Sequence, residues 1–445
     1  MSDKTKKLWQ KSGSALNPAV TDYIISQNLE ADNKLLPFDV QGSIAHARML
    51  GNVGLLEKDD VKAIIAALEE IKTKHAAGDF ILHQENEDVH TEIENYLVEK
   101  LGPVGKRVHV GRSRNDQVLT DMRLYSRSEI RETQELVVSV ASTILGWAQK
   151  HEFSPLPGFT HMQHAMPSSM GQWAGSFVES LINDYEMLQS AYYQNDQNPL
   201  GSGSGFGSAV PLDREQTTKE LGFSRVQINP LYCQNSRGRM EAYTITCLLQ
   251  VMFTLGQLAN DLVIFYSQEF GFVKIDRSLT TGSSMMPQKR NLDVMEVVRA
   301  NVSVVQSLQI QCQTVGMNLI SGYNKDLKIT KKPLMDSFEI VQKSLNIVDL
   351  LFNNLEPDEE NLKRAFDDIE IFATDYANDL VMDGKSFRDA YREIGENLDT
   401  LEMQDVYANI KGKKHIGATG NLCLGEYKTR LKELAAQRNA KKITI

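Results

Sequence analysis

The chain has 445 residues, 41% hydrophobic and 24% charged, with 29 glycines and 12 prolines. That composition excludes collagen-like, low-complexity and disordered classes and supplies enough apolar material for a large core over two or three domains. A net charge of -10, from 48 Lys and Arg against 58 Asp and Glu, argues against nucleic acid or an anionic membrane surface as a partner.

In chain order, the opening residues start basic but lack the apolar run of a secretory signal. Over 57–78 the apolar positions Val61, Ile64, Ile65, Leu68 and Ile71 keep the spacing of one helical face, and Gly78 supplies a stop. Five longer helices are expected at about 116–150, 168–197, 238–269, 293–319 and 334–355. Pro167 precedes the second and Pro199 follows it, while Pro333 opens the fifth. In that fifth helix Leu334, Phe338, Val341, Leu345, Val348 and Phe352 form a sustained packing seam. The stretch 242–260 carries no charge, yet Thr244, Thr246, Gln250, Thr254, Gln257 and Asn260 suit a bundle-core helix better than a bilayer span.

Helices of about 30 residues are rods of roughly 45 Å, which implies an elongated bundle with more apolar face than one chain covers, hence self-association. Strand patterns such as GFVKI at 271–275 are short and scattered, so no α/β sheet is expected. The cysteines Cys233, Cys247, Cys312 and Cys423 form neither a C-x-x-C pair nor a dense disulfide pattern, in keeping with a reducing cytoplasm.

Several motifs fail on context. PLGSGSGFGSAVP (199–211) lacks G-x-G-x-x-G spacing and a preceding strand, and reads as a mobile loop of close backbone approach. Gly384-Lys385-Ser386 resembles the end of a phosphate loop, but Asp379 stands where its first glycine belongs. Glu85, Glu87 and Asp88 with His83 and His90 have no metal-ligand spacing and read as a solvated turn.

Three segments carry chemistry. VGRSRNDQV (110–118) masses polar groups ahead of a long helix, either as an anion site or as a capping region. PGFTHMQHAMPSS (157–169) sets histidines between prolines before another helix, where one is a proton donor or a packed side chain. In SLTTGSSMMPQKRNLDVMEVVRA (278–300) the thirteen residues 280–292 hold no carboxylate and supply Lys289, Arg290 and Asn291 before a helix start. This is a loop built to close over an anion, in which a serine under positive charge and N–H dipoles can act as a base. The alternative is a mobile surface loop.

GSSMMPQKRN resembles the signature loop of the fumarase/aspartase superfamily, G-S-S-x-M-P-x-K-x-N. GRSRNDQV, PGFTHMQHAMP, LGSGSGFGS, PLDREQTTKELGF and SGYNKDL resemble its argininosuccinate lyase branch, from about 42 to 331, and SFRDAYREIG and GNLCL extend the likeness towards the C-terminus. The resemblance implies a mainly α-helical, three-domain subunit, divided here as 1–105 (N-terminal helical), 106–355 (central long-helix bundle) and 356–445 (small C-terminal helical). It also implies a homotetramer with active sites shared between subunits, and a reversible elimination of argininosuccinate to arginine and fumarate that uses no cofactor and no metal.

Carried over, Ser283 is the base, Lys289 and Asn291 hold the carboxylate that gains charge, and His161, oriented by Glu296, donates a proton or orders a water. Ser113, Arg114, Asn115, Thr160, Tyr323 and Lys331 match substrate contacts, and His90 a further active-site histidine. The chain also departs from the pattern. Trp9 is followed by Gln10, Lys11 and Ser12 in place of G-G-R-F, Asn28 aligns with a substrate-contacting serine, and only Arg237 survives of an S-D-R-D segment. Leu292 replaces a proline, and Lys328 a glutamine, adding charge near the substrate. Two other readings stay open: a sister lyase acting on a related adduct such as adenylosuccinate, and a catalytically silent structural homologue.

Overall fold

A computed structural model describes residues 29–83 and 88–439, together with 17, 19, 20 and 23. Trp9, Ser12 and Asn28, and Glu85 and Glu87 of the acidic turn, lie outside the described residues. The chain begins with α1 (Leu29–Asn52), α2 (Lys58–Ala76) and α3 (Val89–Leu101). Then come α4 (Arg114–Lys150), the strands β1 (Pro155–Thr160) and β2 (Gln163–Ser169), and α5 (Met170–Asn195). After α6 (Arg239–Phe265), β3 (Val273–Ile275), α7 (Asp293–Val315), α8 (Lys331–Phe352) and β4 (Leu355–Pro357), shorter helices lead to a final α9 (Leu424–Asn439).

The five long rods expected from periodicity are α4 to α8, with ends shifted by a few residues. Helix α8 starts at Lys331, so Pro333 sits in its first turn, where an N–H has no intrahelical acceptor to lose. Helix α1 was not anticipated. Pro37 interrupts its interior, and its buried Asp32, Asp39, Ser43 and His46 blunt the apolar repeat that marks a helix in sequence.

Side-chain contacts give each rod its direction. Arg123 near the start of α4 bonds Asn195 at the end of α5 at 2.9 Å, whereas Trp147 at the end of α4 meets Trp173 at the start of α5. Asp184 and Thr254 then set α6 against α5, and Arg299 bonds Asn260 to set α7 against α6. Tyr125 on Phe338 and Thr143 on Asp349 run α8 parallel to α4. The bundle therefore has one end made by the starts of α4, α6 and α8 and another made by their finishes.

Helix α6 is long and apolar enough to cross a bilayer, but Ile245, Leu248, Met252, Leu255, Leu258 and Leu262 are completely buried against its neighbours. A second core, with Leu36, Val40, Ile64, Leu68, Ile71 and Leu97, ties α1 to α2 and α3. The strands form only two antiparallel pairs among the described residues, β1 with β2 and β3 with β4.

Phe338 is fully buried at the centre of the bundle, edge-on to Tyr125. Phe338→Ala is expected to remove about 3–5 kcal/mol of stability through lost burial and the cavity left behind. An earlier denaturant midpoint than the parent at equal protein concentration checks this.

Candidate active site

At the first bundle end, Ser113 caps α4 in a reciprocal box: its side chain accepts from the helix N-terminus while its own N–H bonds Asp116 at 2.9 Å. The other oxygen of Asp116 accepts the N–H groups of Gly201 and Gly203, each at 2.9 Å. Both glycines have positive φ, which lets two successive turns aim their donors at one carboxylate. Burial pushes the Asp116 carboxyl up to about 6 despite these bonds. The first part of the glycine-rich segment is therefore pinned, with Ser202 wholly buried, while Phe206, Ser208 and Ala209 further along stay exposed. No sequence signal pairs an aspartate with glycines more than eighty positions away.

A cleft of about 740 Å³ opens here, lined by Lys106, His109, Arg112, Ser113, Arg114 and Gly203, with Glu94 at its side. Burial, with the charges of Arg112 and Arg114, pushes His109 down to about 4 and keeps it neutral. Beside the cleft, Asp88 caps α3 by accepting the Thr91 N–H at 3.0 Å, and Arg114 bonds the Thr91 hydroxyl at 2.9 Å. Asp88 and His90 are thus folded in rather than solvated, contrary to the expected turn.

His90 is buried with its Nδ1 on Asp39, and Asp121 lies 3.9 Å away. Asp39 also accepts from Ser43 at 3.0 Å, and Arg112 bonds Ser43 at 2.8 Å. Asp39, His90 and Asp121 bring ligand-type atoms within 4.8 Å of one another. However, the Nδ1 is already engaged by Asp39, and Arg112 and Lys331 place positive charge on the same carboxylates.

Lys331 is buried in an ion pair with Asp32. Lys328, one turn earlier, is half-buried; burial and the charge of Lys331 hold its ammonium below the usual lysine range, while Asp32 and Asp88 draw it the other way. Arg237 lies over the ring of Tyr323 at 4.9 Å, with one guanidinium nitrogen buried and unpaired. Asn115 occupies the first turn of α4. His90, Ser113, Arg114, Asn115, Arg237, Tyr323, Lys328 and Lys331 therefore all belong to one bundle end.

The remaining candidates occupy the other end. Thr281 and Asn291 exchange backbone bonds at 3.0 and 2.9 Å, closing a loop at the start of α7. Within it, the Ser283 hydroxyl oxygen accepts the N–H groups of Met285 at 3.2 Å and Met286 at 3.0 Å, donors that favour a negative charge on that oxygen. Lys289 is exposed, and Glu296 is exposed in the first turn of α7. Leu292, which replaces a proline, is buried in the main core and anchors the loop.

Thr160 ends β1, and His161 with Met162 forms a two-residue hairpin turn at φ 54° and 62° that exposes the imidazole. The hairpin itself was not anticipated. Its prolines hide the alternation of a strand, and the Phe159–Phe270 contact at 6.0 Å that seats it is tertiary. Among the described residues no ion pair joins His161 to Glu296. Asp39, Asp121 and Asp32 were missed as well. Asp121 was within reach, since it stands seven residues after Arg114 on one helix face.

A family model described as a lyase matches residues 17–307. The chain is 40% identical to an argininosuccinate lyase of Thermotoga neapolitana over 88% of this chain and 98% of that one. It is 39% identical to that of Bacteroides thetaiotaomicron over 95% and 94%. Among solved structures it resembles an EDDS lyase in complex with formate, at a TM-score of 0.79 and 19% identity over 96% of this chain and 91% of that one. It also resembles a class II fumarase from Schistosoma mansoni, at 0.71 and 16% over 84% and 90%. Those two likenesses concern the fold, while the sequence match over nearly the full length of both relatives decides membership: the chain belongs to the argininosuccinate lyase family.

Proposed function

We propose that the chain cleaves argininosuccinate to arginine and fumarate by general base and acid catalysis, in the cytoplasm. The observation that carries the chemistry is Ser283, whose oxygen receives two backbone N–H bonds inside a loop that offers Lys289 and Arg290 and no carboxylate from 280 to 292. Those donors and cations lower the cost of a serine alkoxide. The alkoxide takes the proton from the carbon beside a succinyl carboxylate, and the electron pair moves into that carboxylate, which becomes a dianion held by Lys289 and Asn291. The pair then returns to form the fumarate double bond as the C–N bond breaks. The leaving guanidine nitrogen takes a proton from His161, directly or through a water, with Glu296 as the orienting partner.

The substrate contacts, Arg114, Ser113, Asn115, Thr160, Arg237, Tyr323, Lys328, Lys331, His90 and Asn28, supply cations and donors for its carboxylates. Lys331 is neutralised by Asp32, which leaves Lys328 as the less compensated charge of that pair. A separate apolar core over the first three helices supports a boundary near 105, whereas Leu362, Leu422, Leu424, Leu431 and Leu434 pack into the main bundle core, so the boundary near 355 rests on the resemblance.

A homotetramer with shared sites completes this reading. Ser283 and Arg114 belong to opposite ends of the bundle, and the 27 residues of α6 alone set those ends about 40 Å apart. No substrate of this size spans that distance, so a complete site needs groups from more than one copy. Helix α7 has the surface for it: Met295, Val298, Val305 and Cys312 form its seam to the bundle, while Val297, Val304 and Ile310 stay exposed.

Purified protein given argininosuccinate is expected to release fumarate, followed by absorbance, and to leave adenylosuccinate intact. Comparable turnover of both would assign the chain to a broader lyase activity. Ser283→Ala is expected to lose at least about 10²-fold in kcat with substrate binding retained, and near-normal kcat would remove Ser283 from the role of base. Mixing Ser283→Ala and Arg114→Ala subunits by unfolding and refolding together is expected to restore activity that neither variant has alone, because some mixed sites regain both groups. Failure of the mixture, with each parent refolding to full activity under the same conditions, would argue against shared sites.

A further inference from the structure

His90 is buried, with 6% of its side chain exposed, and is fixed by one strong contact, Nδ1 to Asp39. Its other nitrogen, Nε2, has no hydrogen-bond partner among the described residues. Asp39 is itself held on both sides, by His90 on one oxygen and by the Ser43 hydroxyl on the other, and Arg112 secures Ser43 in turn. The ring therefore has one orientation, with one nitrogen satisfied and one left over. The spare nitrogen is not among the buried atoms left without a partner, so it reaches the accessible surface, where a ligand can meet it.

We propose that Asp39 is a positioning residue that keeps His90 as a fixed imidazolium, so that its Nε2–H stands ready to donate to a carboxylate of the bound substrate. The proposal rests on the reading of the chain as a lyase of a dicarboxylate adduct, and it gives His90 a charge and a hydrogen-bonding role rather than a proton-transfer one.

The charges around the ring bear this out from every packed element. Burial alone would push His90 down, but Asp39 on α1, Asp88 at the cap of α3 and Asp121 on α4 more than offset it and bring it to about 9. The neighbouring carboxylates differ. Burial pushes Asp39 up, yet His90, Arg112 and Ser43 hold it below the usual range as the ionised partner. Burial and the charge of Asp39 push Asp121 well above that range, with His90, Lys331 and Arg112 acting against the shift. On the positive side Arg114 bonds Thr91 beside the ring, and His109 and Glu94 complete the surroundings, the first held neutral. Because the folded value of His90 lies above its ordinary one, the charged state is complete at neutral pH and is lost as pH rises through about 9.

Two measurements test this. The first needs no substrate: NMR of the full-length protein labelled at histidine nitrogens should show His90 doubly protonated through pH 8, with Asp39→Asn moving its titration to the ordinary histidine range and Asp121→Asn lowering it by less. A wild-type His90 that titrates near 6.5 overturns the proposal whether or not the chain cleaves argininosuccinate. The second is kinetic. Asp39→Asn should raise KM for argininosuccinate about tenfold at pH 8, the loss of one hydrogen bond from a charged donor, with a smaller rise at pH 6 where His90 regains its proton from solvent. A KM effect equal at both pH values would reduce Asp39 to a structural residue. If the wild type releases no fumarate at all, the proposed activity fails while the titration still decides the state of His90.

Discussion

The length of the central helices is the constraint on which the rest of the structure depends. Helix α4 runs 37 residues, about 55 Å, without an interior proline or a break in its apolar stripe. Consecutive helices of that length joined by short connections run in alternating directions, so the connections are driven to one end of the bundle or the other. The division of candidate residues between two ends follows from this geometry. Under the proposed function, it is also why a complete site draws on more than one copy.

The two ends are held by different forces. Where α4 finishes, Trp147, Trp173, Phe265, Phe272 and Phe352 interlock in edge-on and stacked contacts, and the indole N–H of Trp147 bonds the Leu355 carbonyl at 2.8 Å. Where α4 begins, burial is polar. Arg123 and Arg127 are almost fully buried, and Asp116 serves as helix cap and as anchor of the glycine segment at once. Buried charge of this kind is a poor way to gain net stability, because desolvation consumes most of what the contacts return. What it secures is position. A carboxylate with three N–H donors cannot shift without leaving donors unpaired, so Ser113 and Arg114 are set relative to the glycine segment more strictly than apolar packing would achieve.

The signature loop is built the opposite way. It lies on the surface, closed by a single backbone pair between Thr281 and Asn291 and anchored by the buried Leu292. Ser283 gains its special environment from backbone donors two and three positions later, a local device that needs no distant partner. Such a loop holds its inner geometry by its own backbone, without help from distant segments.

How much was legible in the sequence depended on whether the cause was local. The rods α4 to α8, the cap at Ser113 and the character of the loop around Ser283 follow from 3.6-residue periodicity, capping chemistry and the run of residues without a carboxylate, all of which act within a few turns of chain. Helix α1 and the β1–β2 hairpin were hidden because Pro37, Pro155, Pro157 and Pro167 disguise their local signals, and their stability comes from packing against distant segments. The same reason explains the polar core. Asp39 meets His90 across 51 positions, Lys331 meets Asp32 across 299, and Asp116 meets Gly201 across 85. The sequence by itself determined the helices, their lengths and the segments able to do chemistry. Only the tertiary structure decided which end of the bundle each segment occupies and which carboxylate faces which cation, because those pairings are chosen by the direction of packed rods and not by neighbours along the chain.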